Sequence, residues 1–156
     1  MTRMRRRLLL PGLAALVVLP VWGHVLPEKF EPSRDAVADV QQALSLAQAQ
    51  RKLVFVDVGG EWCSWCHIFD RFVASHPEVK KTLEERYIVV KVNYSPQNRN
   101  EKLLSRWPKA KGYPHFYVLD GSGRVLESQA AGELEAGKDY DAAKVLAFLR
   151  RQQAPS

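Results

Sequence analysis

Sulfur is scarce in this chain. Its 156 residues hold two cysteines and two methionines. Two cysteines cannot build the disulfide framework that staples small exported folds. Cys63 and Cys66 can bridge only each other, across a ring too small to constrain the unfolded chain strongly. The two methionines, Met1 and Met4, stand at the extreme N-terminus, which leaves the remaining sequence without a thioether ligand. Long apolar runs are also missing. The longest uncharged, mostly apolar stretch is LLLPGLAALVVLPVW at 8–22, shorter than the roughly 20 residues a membrane-spanning helix needs. No internal repeat or low-complexity segment occurs, and the chain ends in a polar tail.

A strong basic face is missing too, despite a formal net charge of +6. Arg3, Arg5, Arg6 and Arg7 lie in the first 23 residues, which carry no acid, so residues 24–156 are left with only +2. Nucleic acid is not an expected partner. A positive segment followed by a short apolar one is the pattern of a secretory signal peptide, with cleavage after Gly23, or of an uncleaved N-terminal membrane anchor. Either reading exports the domain to the periplasm. Membrane contact would then run only through the uncleaved segment.

What is present is a chain of alternating elements. Residues 24–34, broken by Pro27 and Pro32, read as an extended lead-in. Ser33 or Asp35 caps a helix to Gln50, with Val37, Val40, Leu44 and Ala47 on its inner face and Asp39 among its other positions. LVFVDV at 53–58 reads as a strand covered on both faces. A helix bearing Ile68, Phe69, Phe72 and Val73 follows, and then a helix or turn from Pro77. YIVVKV at 87–92 is a second strand. A short helix is expected around 99–106, and HFYVL at 115–119 is a third strand. Asp120-Gly121-Ser122-Gly123 reads as a hairpin turn returning an antiparallel strand at 124–130. Ala142, Val145, Leu146, Phe148 and Leu149 mark a last helix. Strands joined through helices favour parallel pairing, so the expected fold is α/β, a mixed sheet of about four to five strands with helices on both faces. It forms one domain over 35–153.

The chemistry concentrates in E-W-C-S-W-C-H at 61–67, which has three readings. Cys63-x-x-Cys66-His67 is complete as a c-type haem attachment signal, although the iron would want a sixth ligand among His24, His76 or His115. A structural zinc site needs four ligands, and no second paired-ligand motif exists to supply them. A redox dithiol fits the preceding strand and Gly59-Gly60. That order sets Cys63 at a helix N-terminus, where free N–H groups stabilise a thiolate. Cys66, one turn further in, would be the more buried thiol, which resolves a mixed disulfide.

V-D-V-G-G-E-W-C-S-W-C-H resembles the active site of the thioredoxin superfamily, and the resemblance spans about 35–150. It implies an attacking Cys63, a resolving Cys66, a tryptophan before them at Trp62, a buried acid at Asp57, a lysine beside that acid at Lys91, and a cis-proline at Pro114. Gly132 matches a later glycine less closely. The spelling and the export pattern resemble periplasmic thioredoxin-like proteins, including the C-terminal domain of DsbD. A thioredoxin-like fold, thiol–disulfide oxidoreductase activity without cofactor or metal, and protein thiols or disulfides as partners follow as expectations. So do a membrane or periplasmic electron donor and a monomeric state. Reductase is the expected direction, because Ser64-Trp65 adds no positive charge to hold a thiolate strongly. A non-catalytic partner-binding module is the remaining alternative.

Around that centre, Asp57 is expected to take the Cys66 proton. Trp62, Trp65, Tyr113, Pro114 and His115 are expected to bind substrate, with the Tyr113 backbone pairing an extended segment. His67 either tunes the thiolate or decorates the helix surface. Arg106, Lys109 and Lys111 form either a basic rim or a solvated loop.

Overall fold

A computed structural model describes residues 25–153 and 155. The segment expected to be a signal peptide or anchor lies outside these residues. No helix among the described residues is long and apolar enough to cross a membrane.

The elements follow the expected order. Helix α1 is Ala36–Gln50, β1 Leu53–Gly59, α2 Ser64–Ser75, α3 Pro77–Arg86 and β2 Tyr87–Asn93. A single turn, α4, spans Glu101–Leu104 and is shorter than the expected 99–106. Strands β3 (His115–Leu119) and β4 (Val125–Ala130) follow, then a 3-10 turn at Ala131–Leu134. A small ribbon, β5 (Glu135–Ala136) with β6 (Asp139–Tyr140), has no counterpart among the sequence expectations, and α5 (Ala142–Arg151) ends the fold. The main sheet is ordered β2-β1-β3-β4.

The sheet is mixed, but not by the expected rule. β1 pairs in parallel with β2 and antiparallel with β3, and β3 pairs antiparallel with β4. A connection through a helix was expected to keep β3 parallel. The link from β2 to β3, residues 94–114, contains only the one-turn α4 and stays at the end of the sheet where β2 stops. β3 therefore starts at the end where β2 stops and runs the opposite way.

Strand β1 is buried along its whole length, and alternation sorts its side chains between two cores. Leu53 and Phe55 face α2, α3 and α5, together with Phe69, Phe72, Leu83, Phe116, Phe148 and Leu149. Val54, Val56 and Val58 face α1 and α4, with Val40, Ala43, Leu44, Val90 and Leu103. Phe55 is ringed by Phe69, Tyr87, Phe116 and Phe148, with centroids at 5.1–6.3 Å. Burying each such ring is worth about 1.5–3 kcal/mol. Asp57 falls on the Leu53–Phe55 face, in line with these rings.

Helix α1 holds a departure from expectation. Its residue type groups Asp39 with the helix's polar positions, yet it is 1% exposed, three residues after buried Ala36 and four before buried Ala43. Arg34, from the segment ahead of the helix, reaches it with a fork: Nε to Oδ2 at 2.8 Å and Nη2 to Oδ1 at 2.6 Å. Helical spacing places that side chain inside, and the Arg34 pair compensates its charge there. Asp35 caps α1 as expected, accepting from the Val37 and Ala38 N–H groups.

Candidate active site

Three chain segments meet at one end of the sheet. β1 stops at Gly59, β2 stops at Asn93 and β3 starts at His115. The Tyr94 N–H bonds to the Gly59 carbonyl at 2.6 Å, tying the first two exits together. The loop from Gly60 then enters α2. Cys63 is the N-cap of α2, and its Sγ accepts the Cys66 N–H at 3.2 Å. The two cysteines are joined as a disulfide, with Cα atoms 5.3 Å apart. Both are buried, Cys66 completely. The expected graded burial of the two sulfurs is therefore slight in this oxidised form.

Gly59 shows why the strand must end in glycine. A Cβ there would overlap Cys66 Sγ and would lie 3.2 Å from the Phe30 ring. The strand thus approaches the Cys66 sulfur backbone-first. At Gly60 a Cβ would collide with the Trp62 indole. That indole is 56% exposed, and its Nε1–H donates to the Tyr94 carbonyl at 2.8 Å. It meets Tyr113 edge-on with centroids 5.8 Å apart, and Tyr113 stacks on Tyr94 at 4.6 Å. The Tyr113–Pro114 peptide bond is cis. Tyr113 and Trp65 both pack against the cluster of Phe30, Cys63 and Cys66.

Behind the sulfurs lies a charged group of three. Asp57 is 2% exposed, and its Oδ2 accepts from Lys91 Nζ at 3.2 Å. The same ammonium bonds to Asp70 Oδ1 at 2.6 Å. Asp57 Oδ1 has no hydrogen-bond partner among the described residues, so an ionised Asp57 is incompletely compensated. Burial pushes its pKa up to about 6, Lys91 works against that rise, and Asp70 adds to it. Burial opposes the charge on Lys91, but Asp57 and Asp70 outweigh it and its pKa is raised. The result is a carboxyl that changes protonation close to neutral pH, as a proton acceptor for a thiol requires.

A model of the thioredoxin-like family matches residues 35–121. The chain belongs to that family. It is a member of the thioredoxin superfamily of thiol–disulfide oxidoreductases. It is similar to the thiol:disulfide interchange protein DsbD of Tatumella citrea, at 28% identity over 155 residues, covering 94% of this chain and 25% of that protein. DsbD of Salmonella typhi matches at 26% identity, covering 83% of this chain and 24% of its own length. The chain thus spans about a quarter of the curated relatives it matches. Among solved structures, a thioredoxin from Thermus thermophilus is 30% identical with a TM-score of 0.52, covering 70% of this chain and 80% of that one. A disulphide isomerase from Xylella fastidiosa has a TM-score of 0.67 at 22% identity, covering 81% of this chain and 96% of that one. At that identity the likeness speaks for the fold alone.

Of the residues singled out in the sequence, the structure of this thioredoxin-like protein brings most together. Cys63, Cys66, Trp65 and Tyr113 share one cluster, Trp62 touches Tyr113, and Asp57 pairs with Lys91. His115 does not join them. Its ring is 1% exposed, Nε2 bonds to Ser128 Oγ at 2.9 Å, and Nδ1 accepts from the Lys111 N–H at 3.4 Å. Burial lowers its pKa. Odd-numbered positions of β3 face the α1 side, which points this ring inward and not towards a substrate. His67 bonds through Nε2 to the Glu61 carbonyl at 2.8 Å. The haem reading does not fit this geometry: Cys66 lies under Gly59 and Phe30, and the His67 nitrogen is engaged. Among the described residues, no three His, Cys, Asp or Glu side chains converge on a metal-sized point. Arg106, Lys109 and Lys111 are exposed on the segment before Tyr113. Gly132 lies in the 3-10 turn, exposed to solvent.

Three residues escaped sequence reasoning. Asp70 stands one helical turn after Cys66, a spacing that could have flagged it. Tyr140, on the unexpected ribbon, donates to the Trp65 carbonyl at 3.3 Å and meets the Trp65 ring edge-on. Phe30 comes from the lead-in and carried no local signal at all.

Proposed function

We propose that this protein is an exported, monomeric reductase of protein disulfides that works through Cys63 and Cys66. The observation that carries the reading is the placement of both sulfurs at disulfide distance in the first turn of α2. In the reduced protein the Cys63 thiolate, stabilised by the free N–H groups of that turn, attacks one sulfur of a partner disulfide. A mixed disulfide forms, and the partner's other sulfur leaves as a thiolate. Cys66 then loses its proton to the Asp57 carboxylate, through a water molecule. Its thiolate attacks Cys63 Sγ, the internal disulfide forms, and the partner's second sulfur departs. Two electrons have moved from the dithiol to the partner disulfide, whose two thiolates take up protons.

Lys91 steadies the ionised acid between turnovers. Pro114 presents the Tyr113 backbone to an extended segment of the partner, and Trp62, Trp65 and Tyr113 give it apolar contact. A thiol donor in the membrane or periplasm regenerates the dithiol, a reading supported by the likeness to a quarter-length segment of DsbD. The direction rests on the loop: Ser64-Trp65 supplies no cation to favour the reduced form strongly.

Insulin reduction by the wild type, lost in Cys63→Ser, tests the reading, together with equilibration against glutathione. A midpoint near −270 mV, about that of thioredoxin, supports a reductase. One near −120 mV, about that of DsbA, assigns the opposite direction.

A further inference from the structure

Phe30 lies in the Pro-flanked segment ahead of α1, outside the residues matched by the family model. Its ring is 1% exposed. It belongs to the same cluster as Cys63 and Cys66 and presses on Gly59 above the Cys66 sulfur. Its face also lies 4.3 Å from Lys91 Nζ, within the range of an attractive cation–π contact. One apolar side chain therefore touches the dithiol and the counter-charge of the buried acid.

The segment is fixed in place by bonds to several parts of the fold. The Phe30 N–H donates to Glu61 Oε1 at 3.0 Å, two residues before Cys63. Asn98 Nδ2 donates to the Pro32 carbonyl at 2.9 Å. Arg34 Nη2 donates to the Val25 carbonyl at 2.8 Å while its fork holds Asp39. Phe30 is thus delivered to the site by anchors on both sides of it in sequence.

We propose that Phe30 is a positioning residue of the dithiol site: its ring holds the Lys91 ammonium against Asp57 and shields the Cys66 sulfur from bulk solvent on the lead-in side, leaving the groove side to the relay water. The inference rests on the dithiol reading above. Lys91 Nζ is shared between two carboxylates, and the shorter bond runs to the half-exposed Asp70. The aromatic face is the third neighbour that keeps the ammonium over the interior. Without it, Lys91 swings towards Asp70 and solvent, and Asp57 loses its compensation.

The groups that face Asp57 are few and come from each packed element. Lys91 comes from β2, Asp70 from α2, and Tyr140 from β6. An apolar groove of about 490 Å³ runs from Asp57, Lys91 and Asp70 along β2 to Lys80 and Glu84 on α3. Water can approach the carboxyl from that groove. Phe30 closes the dithiol side.

Two variants separate this role from mere packing. Phe30→Leu keeps an apolar plug without an aromatic face, and Phe30→Ala opens the seal. The Asp57 titration is followed by carboxyl NMR in the disulfide form, so it does not depend on turnover. In Phe30→Leu the loosened Lys91 raises the Asp57 midpoint by about half a pH unit or more, roughly threefold in the proton equilibrium. An unchanged or lowered midpoint there overturns the proposal, whatever the melting temperature does. In a Cys63→Ser background, Phe30→Ala makes Cys66 roughly tenfold faster to alkylate, since the thiolate becomes hydrated and reachable. An unchanged rate overturns the seal, and if that variant does not fold, the leucine variant decides. Insulin reduction surviving in Cys63→Ser alone would sink the dithiol reading and leave the Asp57 result standing.

Discussion

Replacing Asp57 by asparagine isolates the energetic cost of keeping a carboxyl beneath the dithiol. The side chain keeps its shape and loses its charge. In the folded protein this acid titrates near 6, against an ordinary value of 3.8. Between those values the native state holds more protons than the unfolded chain, so stability falls as pH rises. The contribution of the neutral acid is complete below about 3.8 and is lost as pH climbs through 6. The gap is worth about 3 kcal/mol. The amide does not titrate, so Asp57→Asn escapes that loss. It brings its own constant cost, because an amide N–H₂ beside Lys91 lacks an acceptor, typically about 1–3 kcal/mol. That cost cancels when two pH values are compared. Urea unfolding of the disulfide forms at about pH 3.5 and about pH 8 gives the stability difference, variant minus wild type, at each. The difference at the higher pH is expected to exceed that at the lower by about 3 kcal/mol. A change below about 1 kcal/mol, or one of opposite sign, would show that Lys91 compensates the carboxylate fully and that burial does not dominate.

Two further changes probe neighbouring parts of the site. Gly59→Ala drives a methyl group into Cys66 Sγ and the Phe30 ring. Thermal unfolding should register a loss of about 1–3 kcal/mol, as for other overpacked cores. Asp70→Asn removes a charge that raises the Asp57 pKa and releases Lys91 to Asp57 alone. Carboxyl NMR should show the Asp57 midpoint fall below about 6, and a rise would contradict the shared-ammonium geometry.

Much of the fold was legible because local rules and tertiary packing agree. Asp35 caps α1 by the side-chain bonding that its type favours. Val54, Val56 and Val58 form a β-branched row that is buried as a row. Asp120 accepts from the Ser122 and Arg124 N–H groups and closes the hairpin, with Gly123 at φ +86°. The dithiol was legible for the same reason. Cys63 and Cys66 are three residues apart, so one helical turn brings them together whatever surrounds it.

The acid and its lysine were readable only through the family resemblance, since 34 residues separate them. The register of β1 on β2, which pairs Asp57 with Lys91, is what turns two charged strand residues into one group. His115 was misplaced because its proximity to Pro114 in sequence says nothing about which face of β3 it takes. Strand alternation sends it to the α1 side. Asp39 was misplaced because residue type was weighed above its spacing from Ala36 and Ala43, and nothing local shows the arginine from outside the helix that compensates its charge.

By itself, then, the sequence determined the elements, the dithiol and the helix turn that carries it. These depend on neighbours within a few residues, where chain geometry leaves little choice. Tertiary structure alone decided that β3 runs antiparallel to β1, that Asp70 shares the Lys91 ammonium, and that Phe30 lies over the sulfurs. Each of those depends on a long loop closing in one particular way. Buried charge and close packing, not local propensity, select among the closures.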